Sequence, residues 1–117
     1  MVVPDTGVLV PPSDPKHIAI VSNDGIPEEM KAIGEGQIDA TVSQPADLYA
    51  KYALFYIKAA VAGQKFAPGK TDHDSTIVAP RPGVLEDQLP APLVTKDGAY
   101  PNSLKSTDTS LWGNQIK

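Results

Sequence analysis

The sequence predicts an α/β fold in which short strands alternate with helices. Three stretches carry this prediction. Residues 18–21 are four apolar residues between polar turn residues, which is typical of a strand covered on both faces. Residues 38–42 alternate apolar and polar side chains, as in a half-buried strand. Residues 46–62 carry apolar side chains at helical spacing between a proline and a glycine.

Length and composition narrow the classes of protein to consider. The 117 residues fit one small domain, and 41% of them are hydrophobic, enough to form a core. With a net charge of -4 and scattered basic residues, we expect no nucleic acid partner. The chain has no cysteine, which excludes disulfides and thiolate sites. It also lacks a signal-peptide pattern and any apolar run near the roughly 18 residues that span a bilayer.

The first half of the chain predicts an extended segment, a turn and a short helix. Residues 1–17 are predicted to form an extended lead-in, because their four prolines lack backbone N–H donors. Residues 23–25 predict a turn after the first strand. A short helix should follow, since Pro27 suits its first position and the carboxylates of Glu28 and Glu29 suit the helix dipole.

The helix predicted over residues 46–62 is apolar on more than one side. Ala53 and Ile57 belong to one stripe, while Tyr52 and Phe55 make another side apolar as well. A helix with so few polar positions needs cover on more than one face. We therefore expect a partner here, with a homodimer that covers residues 46–62 as one candidate. The alternative is that the tyrosines lie at the surface with their hydroxyls in water.

The second half of the chain predicts less regular structure. Residues 65–75 form a predicted polar loop and residues 76–79 a short strand. Residues 80–92 are rich in proline, which predicts no regular structure there. Residues 92–95 offer a last short strand, and residues 99–117 form a polar tail.

No arrangement of residues in the sequence supports catalysis or metal binding. His17 starts a strand and His73 lies in a polar loop, and neither belongs to a nucleophile motif. Asp72, His73 and Asp74 are consecutive, and consecutive loop residues seldom converge on one ion. The chain has no glycine-rich phosphate loop. We therefore expect no enzyme activity, no cofactor and no metal.

Two polar side chains remain, each just past a predicted strand: Asp24 and Gln44. In an open α/β sheet, ligands bind outside the carboxyl ends of the strands. A carboxylate accepts hydrogen bonds and an amide both donates and accepts, which matches the hydroxyls of a sugar. Such residues also cap helices and turns, so both roles stay open from spacing alone.

A longer pattern surrounds these two residues. Residues 20–44 read IVSNDGIPEEMKAIGEGQIDATVSQ, followed by a helix that ends at Gly63, by PLVTKD at residues 92–97 and by SLWGN at residues 110–114. From residue 18 onward, this order resembles the ribose-binding-like type I periplasmic binding proteins, which are the sugar-binding proteins of ABC importers. The resemblance does not include residues 1–17.

The resemblance implies a specific fold and domain organisation. The α/β segment of residues 18–98 would be a partial three-layer sandwich of short, mostly parallel strands with flanking helices. It would be the carboxy-terminal portion of a protein with two lobes. Residues 18–44 and 92–98 would belong to the second lobe and residues 45–91 to the first, with residues 99–117 as the C-terminal tail.

The resemblance also implies a function. Asp24 corresponds to an aspartate that hydrogen-bonds sugar hydroxyls, Gln44 to a glutamine that contacts the sugar, and Asn23 adjoins the first of these. The chain would be the monosaccharide-binding component of an ABC transporter, with the membrane permease as its partner and with a periplasmic or cell-surface full-length parent. Because members of the family are much longer, we expect a truncated or fragmentary form.

Two other functions compete with this one. The effector-binding region of sugar-responsive transcription regulators has the same two-lobed architecture, and this chain could be a fragment of such a protein. The third hypothesis is a structural fragment that associates with itself and binds no ligand.

Overall fold

The computed structural model describes residues 10–116. Contacts divide the chain into two units, the first comprising Met1–Gln44 with Pro92–Lys117 and the second Pro45–Ala91. These boundaries are the positions at which the resemblance changes lobe, and the assignment of the units to lobes stays a prediction.

Seven strands and three helices follow one another in the described residues. In chain order they are β1 (Val21–Asp24), α1 (Pro27–Gly34), β2 (Ala40–Ser43), α2 (Ala46–Val61), β3 (Gly69–Lys70), β4 (Thr76–Arg81), β5 (Val84–Gln88), β6 (Leu93–Thr95), β7 (Ser103–Lys105) and α3 (Trp112–Gln115). This order confirms the general α/β class. No helix among residues 10–116 is long and apolar enough to cross a membrane.

The first unit is built on a four-stranded sheet with the order β1-β2-β6-β7. One hydrophobic cluster forms its core, in which Ile33 of α1 and Val94 of β6 are fully buried. Met30 and Ile38 belong to the same cluster, as does Leu111 just before α3. The core therefore fixes α1 and the C-terminal segment relative to the strands that end at Asp24 and Ser43.

The expectation of mostly parallel strands is wrong. Strand β1 pairs with β2 and β6 with β7 in parallel, whereas the other strand pairs of the described chain are antiparallel. The reason lies in the chain path. Ser43 at the end of β2 donates its N–H to the carbonyl of Pro92 at 2.9 Å, so the chain re-enters the unit beside the point where it left. A strand that starts there must run opposite to β2.

The second unit consists of α2 and the antiparallel sheet β3-β4-β5. Helix α2 spans Ala46–Val61, which confirms the helix predicted there with its end one residue earlier. Gly63 follows with φ of 74°, a conformation that glycine adopts without strain. Ring contacts connect the helix to the rest of the unit, including an edge contact between Tyr56 and Phe66 with ring centroids 5.0 Å apart.

The prediction of irregular structure over residues 80–92 is also wrong, because β5 pairs with β4 as a hairpin. Gly83, with φ of 77°, provides the turn between the two strands. Pro80 lies where the register shifts between Val78 and Arg81. A proline is compatible with a strand at such an irregularity, since its missing N–H is not needed for the ladder.

The two ends of the described chain also differ from their sequence interpretation. Of the predicted extended lead-in, residues 1–9 lie outside the described residues. Residues 11–17 contain two turns, closed by hydrogen bonds from Asp14 N to Pro11 O and from His17 N to Asp14 O. The segment after residue 98 contains β7 and α3, so it contributes an edge strand and a core residue to the first unit.

Candidate functional site

The three residues predicted to bind a sugar lie together in the first unit. Asn23 and Asp24 are the last residues of β1, and Gln44 follows β2 directly. The two strands run in parallel with Asp24 opposite Ser43, so both carboxyl ends lie at the same edge of the sheet. Gln44 also donates its backbone N–H to the carbonyl of Asp24 at 2.9 Å. Strand pairing thus brings the three residues to one place.

Their side chains form a hydrogen-bonded series. Gln44 donates from Nε2 to Oδ1 of Asn23 at 3.0 Å, and Asn23 donates from Nδ2 to Oδ1 of Asp24 at 2.9 Å. Asn23 and Asp24 are exposed, and Gln44 is half-buried. The series therefore presents two amides and a carboxylate to solvent in a fixed order.

The backbone at Asp24 is held in an unusual conformation. Its φ is 116°, a region that residues with a side chain seldom adopt and that costs about 1–3 kcal/mol. Surrounding contacts must maintain such a conformation. The next residue, Gly25, has φ of 79°, so the chain turns sharply at the end of β1. The exposed position of the carboxylate is a consequence of this turn.

The side chain of Glu29 stabilises this turn through hydrogen bonds. Its side chain is only 8% exposed, and Oε2 accepts hydrogen bonds from Gly25 N at 2.6 Å and from Thr41 Oγ1 at 3.2 Å. The sequence explains this residue by the helix dipole alone. Its position four residues after the glycine of the turn was the available signal for its second role. Through these bonds Glu29 links α1 to the turn and to β2, next to the candidate site.

Gly25 and Gly113 are needed where the backbone segments approach closely. A Cβ atom on Gly25 would lie 2.5 Å from the Ser43 hydroxyl oxygen, and one on Gly113 would overlap the carbonyl oxygen of Gly25. Helix α3 therefore packs directly against the turn that holds Asp24. The sequence motifs around both glycines gave no indication of this contact.

A second polar cluster lies in the second unit, around His73. Its Nε2 is 2.8 Å from Asp87 Oδ2, and its Nδ1 is 2.9 Å from Asp72 Oδ1. The imidazole also stacks on the ring of Tyr52, with centroids 3.8 Å apart and an angle of 15° between the planes. Asp87 accepts a further hydrogen bond from the hydroxyl of Tyr56 at 2.8 Å. The cluster connects α2, the loop before β4, and β5.

The pKa shifts in this cluster favour the protonated form of His73 and the ionised form of Asp87. Hydrogen bonds to Asp87 and to Asp72 raise the pKa of His73, so the ring can donate from both nitrogens. Burial opposes the charge on Asp87, but Ser75, His73 and Tyr56 outweigh it and lower its pKa. Burial and the bond to Asp87 raise the pKa of Tyr56 to about 12.

The chemistry that this second cluster supports is structural. Both ring nitrogens of His73 are engaged by carboxylates, and the ring face is covered by Tyr52. An imidazole arranged in this way joins α2 to the sheet. Sequence reasoning missed the pairing because Asp87 lies in the stretch that was expected to be irregular.

Comparisons with known proteins do not add a family. No protein-family model matches the chain, and no match was found among the curated proteins or the solved structures.

Proposed function

We propose that the first unit provides one side of a monosaccharide-binding site and that the chain is a form of the carbohydrate-binding component of an ABC importer. The observation that supports this function is the series Gln44, Asn23 and Asp24 at the adjacent ends of two parallel strands. Ligands of open α/β sheets bind at this position.

The chemistry of the series matches a neutral polyol. Each sugar hydroxyl can donate one hydrogen bond and accept others, so it pairs with both carboxylates and amides. The carboxylate of Asp24 can accept more hydrogen bonds than the one it receives from Asn23, and it is exposed. An ionised carboxylate at this place disfavours an anionic ligand, because like charges repel.

The same proposal includes a specific fold for each of the two units. The first unit would be part of the second lobe of a type I periplasmic binding protein, and the second unit part of the first lobe. Binding to the importer's membrane permease and a periplasmic or cell-surface location follow from this assignment. An open, one-sided site buries little of its ligand, and we therefore expect millimolar affinity for the chain alone.

A titration followed by NMR tests this function. A panel of pentoses and hexoses is added to the labelled chain, and backbone and side-chain amide signals are recorded. We expect at least one sugar to shift the signals of Asn23, Asp24 and Gln44, and Asp24→Asn to weaken that sugar's binding. Asp97→Asn changes an exposed carboxylate of the same unit that accepts a hydrogen bond from Ala99 N, and this variant should bind sugar as the unmodified chain does. The proposal fails if no sugar shifts these signals at millimolar concentration.

A further inference from the structure

Helix α2 has an outer face that the described residues leave uncovered. Four residues form it and are here called the outer seam: Ala50, Leu54, Ile57 and Val61. The exposed fraction is 61% for Leu54, 61% for Ile57 and 87% for Val61. Three large apolar side chains in one row on a single helix form a patch rather than scattered surface residues.

The opposite face of the same helix is already packed within its unit. Tyr52 and Tyr56 are half-buried and Ala59 is buried, and they lie four and three residues apart on the inner side. Tyr52 stacks on His73, and Tyr56 contacts Phe66. The outer seam is therefore a separate surface, about half a turn around the helix from the packed one.

The spacing of the outer seam indicates what kind of element covers it. Its members are separated by four, three and four residues, which is the spacing at which two helices interlock their side chains. A strand or an extended peptide would not match this period. Ala53 and Ala60 lie next to the seam and are small, so a second helix can approach closely.

We propose that this helix is α2 of a second copy of the chain, packed antiparallel to the first. In this arrangement Leu54 faces Ile57 of the second copy, and the small Ala50 faces the larger Val61. A parallel arrangement would instead place alanine opposite alanine and leave a gap at that level. The seam is thus complementary to itself under a twofold axis, as a symmetric dimer requires.

Net charge does not oppose self-association of this unit. Residues 45–91 contain five basic and five acidic side chains, so two copies of this unit do not repel each other through net charge. Lys51 and Lys58 lie beside the seam and are exposed. The antiparallel pair brings Lys51 near Lys58 of the second copy, and salt should therefore strengthen the dimer by screening this repulsion.

The expected affinity follows from the size of the contact. A helix of 16 residues is about 24 Å long, and one helix pair buries less than the roughly 1,200–2,000 Å² of a stable interface. We therefore expect a dissociation constant in the micromolar range. Sedimentation equilibrium over a concentration series measures it, and a chain that stays monomeric up to millimolar concentration overturns the proposal.

Two neighbouring glutamate substitutions distinguish this interface from another one. Ile57→Glu places a charge in the seam and should weaken the dimer at least about tenfold. Lys58→Glu places the same group opposite Lys51 of the second copy, and should tighten the dimer and reverse its salt dependence. Both positions are exposed, so at concentrations below the dissociation constant the circular dichroism of the variants should match that of the unmodified chain. Lys58→Glu should melt slightly lower there, because it places an acid in the last turn of α2. A dimer that Ile57→Glu leaves unchanged overturns the proposal.

Cysteine cross-linking tests the orientation, and the chain has no cysteine of its own. A mixture of Ala50→Cys and Val61→Cys chains should form a disulfide between different variants under mild oxidation. Neither variant should cross-link efficiently alone, because the same position on two antiparallel helices lies about 16 Å apart along the axis at 1.5 Å per residue. Cross-linking of Ala50→Cys with itself would show a parallel pair and contradict the arrangement proposed.

Discussion

Gln44 donates a hydrogen bond from Nε2 to Oδ1 of Asn23 at 3.0 Å, and this bond joins the ends of two parallel strands. It orients the Asn23 amide with its oxygen toward Gln44 and its nitrogen toward Asp24, at 2.9 Å from the carboxylate. Asn23 was the least distinctive of the three residues in the sequence. In the structure it connects the other two.

Asn23→Ala should reduce sugar binding without unfolding the chain. It removes both side-chain hydrogen bonds, so Asp24 and Gln44 lose their fixed spacing, and we expect about a tenfold loss of affinity in the NMR titration. Asn23 is exposed, and its loss should change the free energy of unfolding by no more than about 0.5 kcal/mol. Gln37→Ala removes an exposed amide elsewhere in the unit and should affect neither quantity. Equal sugar affinity in the Asn23 variant would contradict a role in the site.

Glu29→Ala should destabilise the first unit strongly. It leaves the N–H of Gly25 and the hydroxyl of Thr41 without their buried acceptor, at a cost of about 1–3 kcal/mol for each. Urea unfolding followed by the fluorescence of Trp112, the single tryptophan, measures the change. Glu28→Ala is the matched control, since Glu28 is exposed in the same helical turn and should cost less than about 1 kcal/mol. Similar losses for the two variants would show that the buried bonds are unimportant.

The second unit should be most stable in mildly acidic solution. Asp87 and Asp72 raise the pKa of His73. Its contribution to the free energy of unfolding is therefore complete below its pKa in the unfolded chain, about 6.5, and is lost as the pH rises through its pKa in the folded chain. The pKa of Asp87 is lowered despite its burial. Its contribution to the free energy of unfolding is therefore present above its pKa in the unfolded chain, about 3.9, and is lost as the pH falls through its pKa in the folded chain. Stability should therefore decline on both sides of the interval from about pH 4 to 6.5.

Hydrogen exchange of amides in residues 45–91, measured against pH, checks this dependence. His73→Gln should remove the loss of protection above neutral pH in that unit. His17→Gln is the control, because the pKa of His17 is raised by the Val10 carbonyl and by Asp39, both in the first unit. Its effect should be confined to amides of the first unit. An unchanged pH profile in His73→Gln would show that the cluster is not responsible.

Gly113→Ala should disturb the turn that holds Asp24. The added methyl group would overlap the carbonyl of Gly25, and such overpacking costs about 1–3 kcal/mol. Gly34→Ala is the control, since its Cβ would lie 3.7 Å from the Ser106 hydroxyl, an ordinary contact. Urea unfolding should show Gly113→Ala to be destabilised and Gly34→Ala to be nearly unchanged. NMR shifts in Gly113→Ala should include the amides of Asn23 and Asp24, and their absence would refute the packing argument.

Local patterns predicted helices α1 and α2. Helix α2 was predicted from apolar spacing between Pro45 and Gly63, and α1 from Pro27 and the glutamates after it. The first strand was expected over residues 18–21 with both faces covered, but β1 is Val21–Asp24 and Val21 is 67% exposed.

Strand β5 was missed because the proline content of residues 80–92 indicated irregular structure. In the structure, the turn at Gly83 and the bulge near Pro80 allow β4 and β5 to pair as a hairpin despite these prolines. The mixed direction of the sheet depends on where the chain returns at Pro92, and no local pattern encodes that position.

The candidate site was predictable to a similar extent. Strand ends indicated Asp24 and Gln44, and the parallel pairing of β1 with β2 brings them together. Neither support was predicted. Glu29 already had a sufficient local explanation at the start of α1, and the contact of Gly113 with Gly25 joins residues that are distant in sequence. The link between His73 and Asp87 joins the loop before β4 to β5, and it likewise depends on the hairpin.

The contact between Gly113 and Gly25 also affects when the site forms during synthesis. The first unit is assembled from Met1–Gln44 and Pro92–Lys117, and the whole second unit lies between them in the sequence. As the chain emerges from the ribosome, β1 and β2 appear long before β6 and α3. The turn with Asn23 and Asp24 gains its final packing only when residue 113 has emerged, because contacts between distant segments form last. The candidate site is therefore completed late in folding, well after the strands that carry its residues have emerged.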